Sequence, residues 1–356
     1  MRRAPGLRPA LRPVERLAPL TLALALAAPL PGCAQTDAPD LDRAREATRA
    51  GRYEEAIASY RALVQADLAF PAAPRELAAA LAAVGRYEGA IEALRETAAR
   101  RDGTAELDRI LGVMLGKTGD LEGAESSFHR SVDANATDAL LARLELGRLL
   151  YHRGDLDRAI AIFDGFIDVY NEGGRLSARE LASVGTALTY LGIRDPALFH
   201  DAVRAYEEAI GADPDDAEIK VQFGELFLSK YDSREAGGLF AEVLEANPRH
   251  AGALLGMARR AKFDGSSESL DLARRSLESN PFDATAIAFL AHLYLDLEDV
   301  ENAGAEARRA IDANPSSVEG WIATAAVAHL LGEQDAFSDA NDRIFSLNPR
   351  NAGLSC

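Results

Sequence analysis

Apolar side chains recur along most of this chain at steps of three and four residues, the spacing that gathers them on one face of an α-helix. The stretch from Asp108 to Asn135 shows the pattern well. Leu111, Gly112 and Leu115 share a face, Gly119-Asp120 interrupts, and Leu121, Ala124, Phe128 and Val132 mark a second face. This predicts two helices joined by a short turn. The same couple then returns. Gly51, Gly85 and Gly119 follow one another at a constant step, and Gly154 comes a single position late. Later the beat passes to Asp213-Pro214, Asn247-Pro248, Asn280-Pro281, Asn314-Pro315 and Asn348-Pro349, whose prolines keep that step to within a single position. A fixed period of about 34 residues predicts stacked copies of one small unit rather than a globule around one centre.

Small residues hold two fixed places in the unit. One series is Ala44, Ala78, Gly112, Gly147, Gly185, Gly224, Ala258, Ala291 and Ala325; the other is Ala56, Ala90, Ala124, Ala159, Ala202, Ala236 and Ala303. Small side chains let the two helices of a unit approach closely, and a larger one would cost about 1–3 kcal/mol by overpacking.

These markers resemble the tetratricopeptide repeat family. Leu111-Gly112 and Leu146-Gly147 match its Leu-Gly pair. Ala56 with Tyr60, Ala124 with Phe128, Ala159 with Phe163, Ala202 with Tyr206 and Ala236 with Phe240 match its Ala-aromatic pair. Trp321 takes the family's first large position. The resemblance implies an all-α, right-handed superhelical solenoid of about nine helix-turn-helix units over residues 37–350. Ser269 and Phe337 replace the second small residue in units seven and nine, and units one to four lack the closing proline. Unit five is irregular. The step from Ala159 to Ala202 is longer than the others, with Gly173-Gly174 loosening one turn and Ile193 to His200 adding length before the second helix. Such a loop is either surface drift or a recognition element.

The ends differ from the middle. Unit one opens with Asp37, Asp40, Asp42 and Arg43 where later units carry apolar residues, which suits a water-facing first helix. At the other end Ile344, Phe345 and Leu347 are expected to lack a cover, so residues 351–356 read as an uncapped end. Two explanations stand: the end packs on a partner, or the array is the front portion of a longer, peptidase-like secreted protein.

Composition adds three points. The chain is 48% hydrophobic, enough for a continuous core, and its net charge of -17 disfavours nucleic-acid partners. Residues 1–32 have the form of a signal peptide: Arg2, Arg3, Arg8, Arg12 and Arg16, then an apolar run from Leu17 to Leu30. Leu30-Pro31-Gly32-Cys33 resembles the lipobox of bacterial lipoproteins. That implies lipidation of Cys33, a linker over 33–36 and a mature charge of -21 once five arginines and one glutamate are removed. The alternative is ordinary cleavage after Ala34. Ala34 beside the cysteine implies, by the same resemblance, sorting to an outer membrane and a periplasmic location. The remaining choice is a secreted or periplasmic protein.

Motifs for chemistry are weak. Gly112 to Thr118 approaches a phosphate-binding loop but is one residue short and lies in a predicted helix, where no cradle of N–H groups can form. The six histidines show no zinc-ligand spacing. Asp213-Pro214-Asp215-Asp216 sits where aspartates cap a helix. No catalytic residue, metal or cofactor is expected. In the resembled family the first helices line a concave groove. The positions that point inward carry Arg45, Arg49, Arg75, Arg109, Lys117, Arg148 and Arg179 in the front half, and Arg259 and Lys262 behind. Against these nine stand five acidic residues, Glu106, Glu218, Glu225, Asp296 and Glu319, for a balance of +4. The family's paired Lys and Asn for clamping a chain terminus are absent. The expectation is a non-catalytic adaptor whose groove takes a protein or peptide partner of acidic character, with a lipid anchor at the membrane. The competing role for the arginines is packing of their stems and salt bridging.

Overall fold

The structure, a computed structural model, describes residues 40–66, 72–100, 104–134 and 139–350. The expected signal peptide, the 33–36 linker with Cys33, and the end at 351–356 lie outside the described residues. So do Asp37 and Asn135.

Eighteen α-helices are present among the described residues, and no strand. They form nine couples: α1 (Leu41–Arg49) with α2 (Tyr53–Gln65), α3 (Ala73–Ala83) with α4 (Tyr87–Arg100), α5 (Ala105–Thr118) with α6 (Leu121–Asp133), and α7 (Ala139–His152) with α8 (Leu156–Asn171). The fifth and sixth couples are α9 (Ala178–Leu191) with α10 (Leu198–Ala212), and α11 (Ala217–Ser229) with α12 (Ser233–Ala246). Last come α13 (Ala251–Phe263) with α14 (Ser269–Ser279), α15 (Ala284–Asp296) with α16 (Val300–Ala313), and α17 (Val318–Leu331) with α18 (Gln334–Leu347). Each helix packs on the next, and odd-numbered helices also touch odd-numbered ones, as α3 with α5, α7 with α9 and α15 with α17. The architecture is an all-α solenoid with the odd helices as its inner layer.

Local chemistry sets the helix ends. Thr104, Asp120, Asp216, Asp232, Asp283, Asp299 and Ser317 accept hydrogen bonds from the first-turn N–H groups that have no partner inside their helix. Ser177 and Glu180 form a reciprocal capping box on α9. Gly112 to Thr118 is helical, as expected, and a β-carbon at Gly112 would meet the Phe128 ring at 2.5 Å. The same ring-over-glycine contact recurs at Gly147 with Phe163, Gly185 with Tyr206 and Gly224 with Phe240. Ser269, an exception in the small series, is buried and donates from Oγ to the Ala258 carbonyl at 2.8 Å.

Two expectations need correction. Leu198–His200 are not loop; they are the first turn of α10, where Phe199 packs edge-on against Phe227. Nor are the apolar residues of α18 left bare. Ile344 is fully buried with Ala325 and Ala340, Leu347 is half-buried, and only Phe345 is 48% exposed.

The largest departure from an open array is a seam between early and late units. The turns inside units one to four hold Gly51, Gly85, Gly119 and Gly154, all at positive φ. Each faces the side chain of an asparagine that precedes a proline far along the chain: Asn247, Asn280, Asn314 and Asn348 respectively. A β-carbon on any of these glycines would be driven into the asparagine Oδ1. Asn247 Nδ2 donates to Tyr53 Oη at 2.8 Å, and Asn280 Nδ2 to Tyr87 Oη at 2.9 Å and the Ala82 carbonyl at 3.3 Å. Asn314 Nδ2 donates to the Gly116 carbonyl at 3.2 Å, and Ser316 Oγ to the Gly119 carbonyl at 3.0 Å. Lys117 pairs with Asp283 at 3.3 Å and Arg350 with Asp157 at 3.4 Å. The solenoid thus returns on itself after fewer than six units, and the chain's last described residues rest on its own unit four.

Candidate functional site: the central cavity

The return of the chain converts the expected open groove into a central cavity of about 1300 Å3. Inner helices α3, α5, α7, α9 and α11 supply much of its wall, joined by the asparagine turns of the late units, the starts of α13, α15 and α17, and a few side chains of outer helices such as Tyr53, Tyr87 and Phe128. Of the expected site residues, Arg75, Arg109, Lys117, Arg148 and Arg179 line it. Arg45 and Arg49 do not. Arg45 pairs with Glu76 at 3.0 Å, and Arg49 is exposed at the end of α1.

Most of these cations already have a carboxylate. Arg75 donates to Glu106 at 2.6 Å, Lys117 meets Asp283, Arg148 meets Glu145 at 3.4 Å and Arg179 meets Asp216 at 2.9 Å. Behind them Arg259 pairs with Glu225 at 2.9 Å and Lys262 with Asp296 at 2.6 Å. The lining holds six cationic side chains, the five above plus Arg153, against eight carboxylates: Glu76, Glu106, Glu145, Asp213, Asp216, Glu218, Asp283 and Glu319. The expectation of a positive front wall is therefore corrected. The repeat places Arg148 and Lys117 on the inner face, but Glu145 one turn away and Asp283 across the seam lie on the same wall.

The pairs shape the local titration. Asp283 keeps its carboxyl below the usual range: burial pushes it up, but Lys117 and the N–H groups of Thr285 and Ala286 outweigh that. Lys117 is raised, chiefly by Asp283. Glu145 raises Arg148, and burial together with Arg148 pushes His152 down, favouring the neutral imidazole.

Arg109 is different. It forms no ion pair or hydrogen bond among the described residues, and its Nε is buried without an acceptor. A buried donor left so costs about 1–3 kcal/mol. Asn341 Oδ1 is also buried without a hydrogen-bond partner, and Arg260 Nε has only an ion pair with Asp264 at 3.3 Å, but neither lines the cavity.

Some partners of the cations were readable in the sequence. Arg45 to Glu76 and Arg75 to Glu106 are both 31-residue steps, one period less three, which places them on neighbouring inner helices. Asp216 and Asp283 were readable only as helix caps; that they also hold Arg179 and Lys117 was not. Among the described residues no group of three or more His, Cys, Asp or Glu side chains could hold a metal ion.

A family profile described as tetratricopeptide repeat matches residues 41–106, 111–171 and 264–318, just over half of the chain. The chain belongs to the tetratricopeptide repeat family. Proteins of this family generally serve as scaffolds for protein interactions. Among solved structures the chain is similar to MamA at 17% identity, covering 43% of this chain and 91% of that one with a TM-score of 0.35. It is similar to a chain of the APC/C hetero-tetramer Cut9–Hcn1 at 14% identity, covering 84% and 54% with a TM-score of 0.48. A tetratricopeptide repeat protein from Parabacteroides merdae is similar at 18% identity, covering 70% and 94% with a TM-score of 0.46. No curated protein sequence matches. In this tetratricopeptide repeat protein, the phosphate-loop-like stretch serves packing, and Asp216 serves as a cap that also pairs with Arg179.

Proposed function

We propose that this chain is a non-catalytic scaffold of a bacterial cell envelope, held at a membrane through Cys33, that takes a protein segment through its inner wall. The observation that carries the reading is the continuous cavity, to which inner helices of successive units contribute both charged and apolar side chains. Such mixed, concave surfaces suit recognition of an extended or looped segment by many shallow contacts. The lipobox resemblance at Leu30 to Cys33 supports the anchor, and the periplasmic face of an outer membrane is the proposed location. A partner of acidic character finds less support, because most wall cations are already neutralised.

A photo-crosslinking residue at Val113, on the inner wall, tests this against one at Glu92, exposed on the outer helix α4. Discrete protein adducts from position 113 in intact envelopes, and none from position 92, are expected. Adducts from position 92 alone would end the proposal of an inner-wall site. In the same cells Cys33→Ser should move the protein from the membrane to the soluble fraction; retention after a detergent-free wash would remove the lipid anchor from the reading.

A further inference from the structure

Five of the six wall cations have carboxylate partners: Arg75, Lys117, Arg148, Arg153 and Arg179. Arg109 has none among the described residues, and its Nε is shut away from water with no acceptor. A guanidinium is the side chain best matched to a planar carboxylate, which can accept two of its N–H groups at once. The cavity wall therefore presents one cation still able to take a single negative charge.

Its surroundings limit what else the ligand can be. On α5 itself Ile110 and Val113 line the cavity, one unit back Ala79 and Ala83 do, and one unit forward Leu141 and Leu144 do. These aliphatic side chains stand on the same helix as Arg109 and on the inner helices to either side of it, among Glu76, Glu106 and Glu145. The wall as a whole has more carboxylates than cations, which disfavours a ligand with several negative charges. At the seam the turns of units one to four meet those of units six to nine, so the wall around Arg109 continues from the early units onto the late ones.

We propose that Arg109 anchors a site for a compact monocarboxylate with an aliphatic body. This rests on the reading of the cavity as a receiving surface, and it adds to that reading a subsite for a single negative charge on an apolar frame. Arg109 supplies the counter-charge and the fork; Val113, Leu141 and Leu144 supply the apolar contact.

Calorimetric titration of the purified chain with octanoate tests it, with octanol, octylammonium and a tetraglutamate peptide alongside. Octanoate should bind at least about tenfold tighter than octanol, as expected for a charge-assisted pair out of water. Octylammonium and tetraglutamate should bind more weakly than octanoate. Arg109→Gln should remove most of the preference over octanol, and Arg109→Lys should retain part of it by keeping charge without the fork. Arg234→Gln, on the exposed outer surface, should change nothing. Circular dichroism checks that each variant is folded. Octanoate binding no better than octanol, the same affinity in Arg109→Gln, or tighter binding of tetraglutamate would each overturn the proposal. If octanoate fails while position 113 still crosslinks to protein, this inference falls and the scaffold reading stands. If both fail, the cavity receives neither.

Discussion

The seam rests on single atoms, and the glycine turns isolate their contribution. Gly85 and Gly265 have nearly the same backbone, φ +74° and +70°, but Gly85 faces Asn280 and Phe282 while Gly265 faces open space. At both, a β-carbon incurs the left-handed strain of about 1–2 kcal/mol. Only at Gly85 does it also displace a neighbour. Tyr231 and Glu298 show that side chains are accepted at positive φ in turns of units six and eight. Gly85→Ala should therefore lower unfolding free energy by about 1–3 kcal/mol more than Gly265→Ala in urea titrations. Equal losses would mean that the contact with Asn280 contributes nothing. Asn280→Ala should cost a similar amount, because it leaves the buried Tyr87 hydroxyl without its partner.

Helices meet within a unit through the ring-over-glycine contact, and this level was the most legible in the sequence. Periodicity marks Gly112 as a small position on one helical face and Phe128 as an aromatic on the other, and the structure brings the two together. Gly112→Val should lower the thermal midpoint, since the Phe128 ring cannot retreat without opening α5 from α6; a cost of about 1–3 kcal/mol is expected. An unchanged midpoint would show that the contact is slack. Ser269 was harder to read, because its place is secured by a hydrogen bond to Ala258 rather than by size. The start of α10 at Leu198 is illegible for a similar reason: Phe199 packs against the next unit, and nothing within Ile193 to His200 announces that contact.

For the molecule as a whole, the sequence displayed both halves of the seam as rhythms but not their meeting. Which turn lies against which depends on the small rotation from each unit to the next, summed over nearly six units, and no local pattern records that sum. The candidate site is only partly legible for the same reason: five of the seven expected residues line the cavity and the Arg75–Glu106 step can be read, yet neutralisation by Asp216 and Asp283 depends on stacking and on the seam. The Lys117–Asp283 pair gives a pH test of the closed form. The Lys117 side chain is 43% exposed, so solvent screens the pair and a coupling of about 0.5–1 kcal/mol is expected at neutral pH. Asp283 is depressed, so its contribution is present above the ordinary carboxylate range and disappears as acid titrates it below that range. Lys117 is raised, so the pair persists until pH climbs past the ordinary lysine range. A double-mutant cycle of Lys117→Met and Asp283→Asn, followed by denaturation, should show a plateau between those limits and decline at both ends. A coupling that is flat down to pH 2 would contradict the pairing.

Solenoids commonly tolerate the duplication or loss of a whole module, because each module knows only its neighbours. Here four asparagines are matched one to one with four glycines. Excising one complete module from the middle would slide the match by one step, set Asn280 opposite Gly51 and leave Asn247 with no counterpart. The distance along the chain between the matched turns is thereby locked, and no module can be lost or gained between them without undoing the match at every step.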